Sequence, residues 1–186
     1  MSETVADEIA AMLVGGDLQR VYCKSGVSTG TLSNALQREP ALRCIELQHE
    51  ESISYAAVGE SMLTGRAAAC SGSSGRDMLL FNGLYEATRS GLPLLALVPH
   101  IPVSAIGSRY IQDFNPMAAL RDCTVYCETA YTPEQAPQMV TAALRTARAT
   151  PGAGVVVLPV DVVDMPAANS TYPRILTPTG GQPAVS

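Results

Sequence analysis

The chain has 186 residues, 47% of them hydrophobic and 16% charged, and carries a net charge of −5 from 12 basic and 17 acidic side chains. That length can bury about two-thirds of its unfolded surface in one domain, and the composition excludes disorder. The scattered basic residues argue against a nucleic-acid or anionic-membrane partner, while the low charged fraction leaves surface for another protein. No apolar run reaches membrane-spanning length, and MSETVADEIAAML has acids where a secretion signal needs bases, so a cytoplasmic location is expected.

In chain order the pattern alternates helix with strand. TVADEIAAMLVGG places Val5, Ile9, Met12 and Leu13 on one helical face, and Gly15 and Gly16 end it. QRVYC is a short strand and KSGVSTG a turn-rich loop. TLSNALQRE is a helix stopped by Pro40, and LRCIEL is the next strand. A helix from about Glu50 to Thr64 leads to RAAACS, a strand of small residues, and to the loop GSSGRD. MLLFNGLYEATRSG is a helix with Met78, Phe81, Leu84 and Tyr85 on one side, closed by Gly91. PLLALVP is a strand, HIPVSAIGSRYIQDFNP a long connection, MAALRDC a short helix and TVYCET a strand. TPEQAPQMVTAALRTARA opens with Thr132 as N-cap, Pro133 at the first helical position and Glu134 in the first turn. GAGVVVLPVDV is the last buried strand.

Six apolar strands separated by helices, without clean period-2 alternation, predict a doubly wound α/β domain over residues 1–163. Its sheet should be mostly parallel and six-stranded, with helices on both faces. Residues 164–186 are rich in Pro, Thr and Gly and read as a linker, or as an arm that packs on a neighbour. Such sheets bind ligands at the carboxyl ends of their strands, which directs attention to KSGVSTG, QHEE, SGSSGRD and HIPVSAIGSRYIQDF. The five cysteines, at 23, 44, 70, 123 and 127, form an odd set in or beside apolar strands and read as buried thiols. Cys123 and Cys127 have no second pair and only His49 and His100 remain as imidazoles, so no metal site is expected.

Glu50 and Glu51 follow a strand and enter a helix whose later turns are small and apolar. Two readings stand side by side: acids that complement the helix dipole, or one carboxyl group held at the sheet edge for proton transfer. His49 is a candidate base or a structural hydrogen-bonding residue. CSGSSGRDM has the strand-to-helix setting of a phosphate cradle but lacks the dinucleotide and P-loop fingerprints, so a tight turn is the default. Neither Ser73 nor Ser74 sits in the G-x-S-x-G context of a hydrolase nucleophile.

Three blocks together carry a family resemblance: LQHEESISYAAVGESMLTGRAAACSGSSG, NGLYEATRSGLPLLALVPHIPVSAIGSRYIQDFNP and GAGVVVLPVDV. They resemble the N-terminal pyrimidine-binding (PYR) domain of thiamine-diphosphate enzymes, most of all pyruvate oxidase and acetolactate synthase. The H-E-E turn and the H-I-P-x-S-x-I-G-S-x-Y-x-Q block are the most specific parts. The resemblance implies that Glu50 hydrogen-bonds N1′ of the aminopyrimidine, which promotes removal of the C2 proton of the thiazolium so that this carbon attacks a 2-keto acid. It implies cofactor-binding roles for Ser25, Gly26, Val27, Ser74, Gly75, Asn82 and Gln112, and places Arg76 and His100 on the substrate side. Glu51 becomes the dipole partner, and Ala56, Ala57 and Gly59 let the helix approach the sheet and a neighbouring chain.

Where many members continue G-P-G, Gly75 is followed by Arg76 and Asp77, which implies either a retuned or lost pyrimidine pocket or a solvent-facing ion pair at a helix start. The G-D-G and downstream Asn that hold Mg²⁺ and diphosphate in such enzymes do not occur, so both should be anchored by a partner chain with the diphosphate-binding (PP) domain. FAD is not expected. The chain then reads as one subunit of a heterotetramer acting on a small 2-keto acid, as an excised domain, or as a degenerate PYR-fold scaffold. A nucleotide-binding Rossmann protein is the remaining rival, weakened by the absent glycine fingerprint.

Overall fold

The protein's structure, a computed structural model, describes residues 3–24, 30–73 and 77–168. Its helices are α1 (Val5–Gly15), α2 (Gly30–Arg38), α3 (Glu50–Thr64), α4 (Phe81–Arg89), α5 (Pro116–Leu120), α6 (Gln135–Ala149) and α7 (Val160–Val163). The strands are β1 (Arg20–Lys24), β2 (Arg43–Leu47), β3 (Ala68–Ser71), β4 (Leu94–His100), β5 (Tyr126–Thr129) and β6 (Ala153–Pro159). The strands form one sheet in the order β2-β1-β3-β4-β6-β5, and every neighbouring pair is parallel.

Local chemistry explains most boundaries. Thr4 caps α1 reciprocally: its hydroxyl accepts from the Asp7 amide at 3.3 Å, and the Asp7 carboxylate accepts from the Thr4 amide at 3.0 Å. Gly65 ends α3 in the left-handed conformation, φ 67°, where a side chain would be strained. Two expected boundaries shift. α6 begins at Gln135, but Thr132 still organises the turn, its carbonyl accepting from the Gln135 and Ala136 amides. Val160–Val163 is a helical turn and not the end of a strand, because Pro159 has no amide to extend the ladder.

The sheet separates two cores. α1, α2, α6 and α7 pack on one face with Val21, Leu95, Leu97 and Val156. α3, α4 and α5 pack on the other with Cys70, Ala96, Val98 and Val155. Elements pack very closely at Gly83 and Gly154: a Cβ on Gly83 of α4 would lie 2.3 Å from Ser54 Oγ of α3, and one on Gly154 of β6 would lie 2.6 Å from the Ala143 carbonyl of α6. A Cβ on Gly59 would meet open space, so no close approach within the chain requires that glycine.

Three other expectations change. Cys23 and Cys44 form a disulfide, while Cys70, Cys123 and Cys127 are buried and in no disulfide. β1 and β2 pair Val21 with Cys44, which puts Cys23 diagonally across at a Cα separation of 6.5 Å, within bridging reach. Of the four side chains expected on one side of the fourth helix and its lead-in, only Leu84 is fully buried; Met78, Phe81 and Tyr85 are 54%, 36% and 41% exposed. The start of the 164–186 segment folds back on its own chain: Thr4 and Pro166 form an antiparallel bridge, Val5 N donates to Met165 O and Ala167 N donates to Glu3 O, both at 2.9 Å.

This winding creates two crevices at the carboxyl edge. β1 leads to α2 on the first face while its neighbour β3 leads to α4 on the second; likewise β4 leads to α5 and its neighbour β6 to α7. Adjacent strands whose connections part to opposite faces leave room for a ligand between them.

Candidate functional site

The β1/β3 crevice holds Glu50. α3 starts two residues after β2 and packs against β1 and β3, which brings its first turn over this gap. His49 is the N-cap in extended backbone; its side chain makes no cap bond and is exposed. Successive helical residues point about 100° apart, so the two acids diverge: Glu50 is 1% exposed while Glu51 faces solvent. Ser73, just past β3 and itself buried, donates its hydroxyl to Glu50 Oε1 at 2.5 Å. A short bond to a buried carboxyl group fixes its rotamer and direction. Lys24 Nζ, at the end of β1, donates to the Gln48 carbonyl and ties that strand to the turn before α3. A carboxyl group so oriented can share or pass a proton to a ring nitrogen of a ligand lodged in the crevice.

Glu51 serves the scaffold. Its carboxylate accepts from Asn82 Nδ2 at 2.7 Å, joining α3 to α4, and its carbonyl accepts from Ser54 Oγ. Asn82 is therefore bound to Glu51, at the exposed side of the two helices. Gln112 is exposed on the connection between β4 and α5. Ser25, Gly26, Val27, Ser74, Gly75 and Arg76 lie outside the described residues; Asp77 opens a 3₁₀ turn, Asp77–Leu80.

The β4/β6 crevice holds His100, the last residue of β4, 1% exposed and 5.5 Å from the Phe114 ring in an edge-on contact. Neither ring nitrogen has a hydrogen-bond partner among the described residues. Burial pushes its pKa below the ordinary histidine value, only partly opposed by the Asp113 carboxylate. The ring lines a cavity of 380 Å³ with Asp113, Phe114, Met117, Thr129 and Tyr131 among its walls. Both oxygens of Asp161, in α7, accept from the Val103 amide at 3.1 Å and fix the start of the covering connection. Asp113 holds the turn itself, accepting from the Gly107 and Arg109 amides.

The thiols of Cys123 and Cys127 are chemically quiet. Burial raises both Cys123 and Cys127 to about 11, far from the range of a thiolate nucleophile. The sequence reading weighed Ser73 only as a nucleophile, not as a partner of Glu50, and did not single out Asp113 or Thr129. For Ser73 the available signal was its place after a strand beside the H-E-E turn, but a hydroxyl 23 residues from Glu50 becomes a partner only through the pairing of β1 with β3.

Residues 3–119 match the family described as thiamine pyrophosphate enzyme, N-terminal TPP binding domain. An uncharacterized 42.6 kDa protein from the isoamylase 3′ region of Pseudomonas amyloderamosa is 39% identical over 85% of this chain and 40% of its own length. Pyruvate oxidase of Lactiplantibacillus plantarum is 30% identical over 83% of this chain and 26% of its own. The catabolic acetolactate synthase of Raoultella terrigena is 26% identical over 95% of this chain and 32% of its own. The chain thus spans between about a quarter and two-fifths of these relatives. With an all-parallel doubly wound sheet and a family match over well over half its length, the chain belongs to the thiamine pyrophosphate enzymes, through their N-terminal TPP-binding domain.

Proposed function

We propose that the chain supplies the pyrimidine-side half of a thiamine-diphosphate-dependent 2-keto acid decarboxylase or carboligase, with Glu50 as the acid that hydrogen-bonds the aminopyrimidine. The observation that carries this reading is a glutamate 1% exposed at the β1/β3 crevice and held by Ser73 at 2.5 Å. A buried carboxyl group at a helix start fits a ring-nitrogen partner, because a dry setting strengthens the hydrogen bond and excludes competing water. When bound, the cofactor provides the carbon nucleophile and the electron sink of the decarboxylation. Glu50 holds and returns a proton at N1′, Ser73 keeps its carboxyl group aimed, and the α3 start favours charge that develops there.

The diphosphate and Mg²⁺ are assigned to a separate PP-domain subunit, and the assembly to a heterotetramer. Two observations support a partner. The relatives extend well beyond the matched region, and α3 and α4 leave Tyr55, Met62, Phe81 and Tyr85 exposed. Exposed aromatic and Met side chains favour association. The reading includes a cytoplasmic setting; no described helix is long and apolar enough to cross a membrane. The test mixes the chain with candidate PP-domain subunits, thiamine diphosphate and Mg²⁺ and follows 2-keto acid consumption. Turnover that is absent with every partner, or unchanged by Glu50→Gln, refutes the reading.

A further inference from the structure

β2 is an outermost strand of the sheet. None of its five residues is fully buried, whereas every residue of β3, β4 and β6 is. Burial therefore holds it weakly, and such strands belong to the low-stability end of a fold. Two side-chain ties reinforce it. Gln37 Nε2 of α2 donates to Glu46 Oε1 at 2.5 Å on the exposed side, and Cys44 is bonded to Cys23 of β1. The two cysteines share one face of the sheet, because Cys44 lies opposite Val21 and Cys23 is two residues further along. Their exposure differs: Cys23 is 1% exposed, while Cys44 is only partly covered by the core on that face.

An accessible sulfur bonded to a covered one has the layout of an attacking thiol with its resolving partner. We propose that Cys23 and Cys44 are a reversible thiol–disulfide site for a small couple of the glutathione class, entered through Cys44, whose closure clasps β2 to β1. On oxidation the Cys44 thiolate attacks the disulfide of oxidised glutathione, forming a mixed disulfide and releasing one glutathione thiolate. Cys23, its proton lost to solvent, then attacks Cys44 Sγ and expels the second. The protein gives up two electrons and two protons, and the glutathione disulfide becomes two thiols. Reduction retraces the path, with a glutathione thiolate attacking Cys44. The choice of couple rests on the cytoplasmic setting proposed above, where disulfides are mostly transient or redox-sensing. Glu50 and the cofactor take no part, so a test on the chain alone succeeds or fails independently of turnover.

Trypsin places Cys23 in the peptide VYCK and Cys44 in the peptide from Cys44 to Arg66, so each sulfur can be followed by mass. In the folded, oxidised protein, millimolar reduced glutathione should open the bridge without denaturant, and the first adduct trapped should carry glutathione on Cys44 with Cys23 free. Oxidised glutathione should close it again. Cys70, Cys123 and Cys127 are buried and should stay unmodified as internal controls. In Cys23→Ala the glutathione adduct on Cys44 should accumulate, whereas in Cys44→Ala an adduct on Cys23 should form at least about tenfold more slowly. Opening the bridge should speed amide hydrogen exchange in β2 by about tenfold or more and leave β4 and β6 unchanged. A bridge that opens only in denaturant or fails to re-form, a first adduct on Cys23, or equal rates in the two variants overturns the proposal. So does β2 exchange that ignores the redox state. If a variant does not fold, the first adduct and the exchange of the natural protein decide alone.

Discussion

Glu50 and His100 sit at the two crevices of one sheet edge, each 1% exposed, and differ in how their polar atoms are answered. Glu50 is met by Ser73 from the next loop at 2.5 Å, whereas both buried nitrogens of His100 are without a hydrogen-bond partner among the described residues. Burial alone therefore does not define a role. A satisfied buried acid is a pre-aimed group, stable as it stands, while an unsatisfied imidazole is a standing cost that only a ligand or solvent relieves.

The sharpest way to break this contrast is Glu50→Gln in the reconstituted enzyme. Loss of a positioned proton-transfer group should lower turnover by about 10²- to 10⁴-fold with little change in thermal stability, checked by 2-keto acid assay and melting curve. Gly83→Ala attacks the same crevice from behind: its Cβ would collide with Ser54, four residues along α3, and urea unfolding should show a loss of about 1–3 kcal/mol. Ser73→Ala leaves Glu50 Oε1 without its donor and should cost about 1–2 kcal/mol by the same measurement. The mirror experiment at the other crevice should differ in sign. His100→Leu removes an unpartnered polar ring and should leave stability unchanged or raise it by up to about 1 kcal/mol; a loss comparable to Ser73→Ala would erase the distinction.

The smallest effect is on pH dependence. Burial lowers the His100 pKa from 6.5, so below 6.5 the unfolded chain takes up a proton that the folded one refuses. Stability from this group is intact above 6.5 and declines as pH falls toward the lowered value, and His100→Leu should flatten that part of the stability–pH curve.

Elements with local causes were legible in the chain. The third helix runs over Glu50–Thr64 as read, because a strand ends before it and Gly65 takes the left-handed turn after it. The parallel, doubly wound sheet follows from apolar strands alternating with helices. What escaped the reading depends on register. The Cys23–Cys44 bridge needs Cys44 opposite Val21, and the Ser73–Glu50 contact needs β3 beside β1. The apolar side chains of α4 showed a helical face but not which residues would be covered, since Phe81 and Tyr85 stack on each other at 5.8 Å and stay exposed while Leu84 enters the core. Asn82 shows the same limit for polar residues: its neighbour in space is Glu51, 31 positions earlier.

The bridge between Thr4 and Pro166 places the entry and exit of the folded body side by side. A short Gly/Ser linker across that seam, with new ends opened at an exposed turn such as Gly107–Ser108, should yield a circular permutant with the same sheet. The body can likewise be spliced into a host loop whose two stems are a strand spacing apart, so its order along a polypeptide is free to vary while its architecture is not.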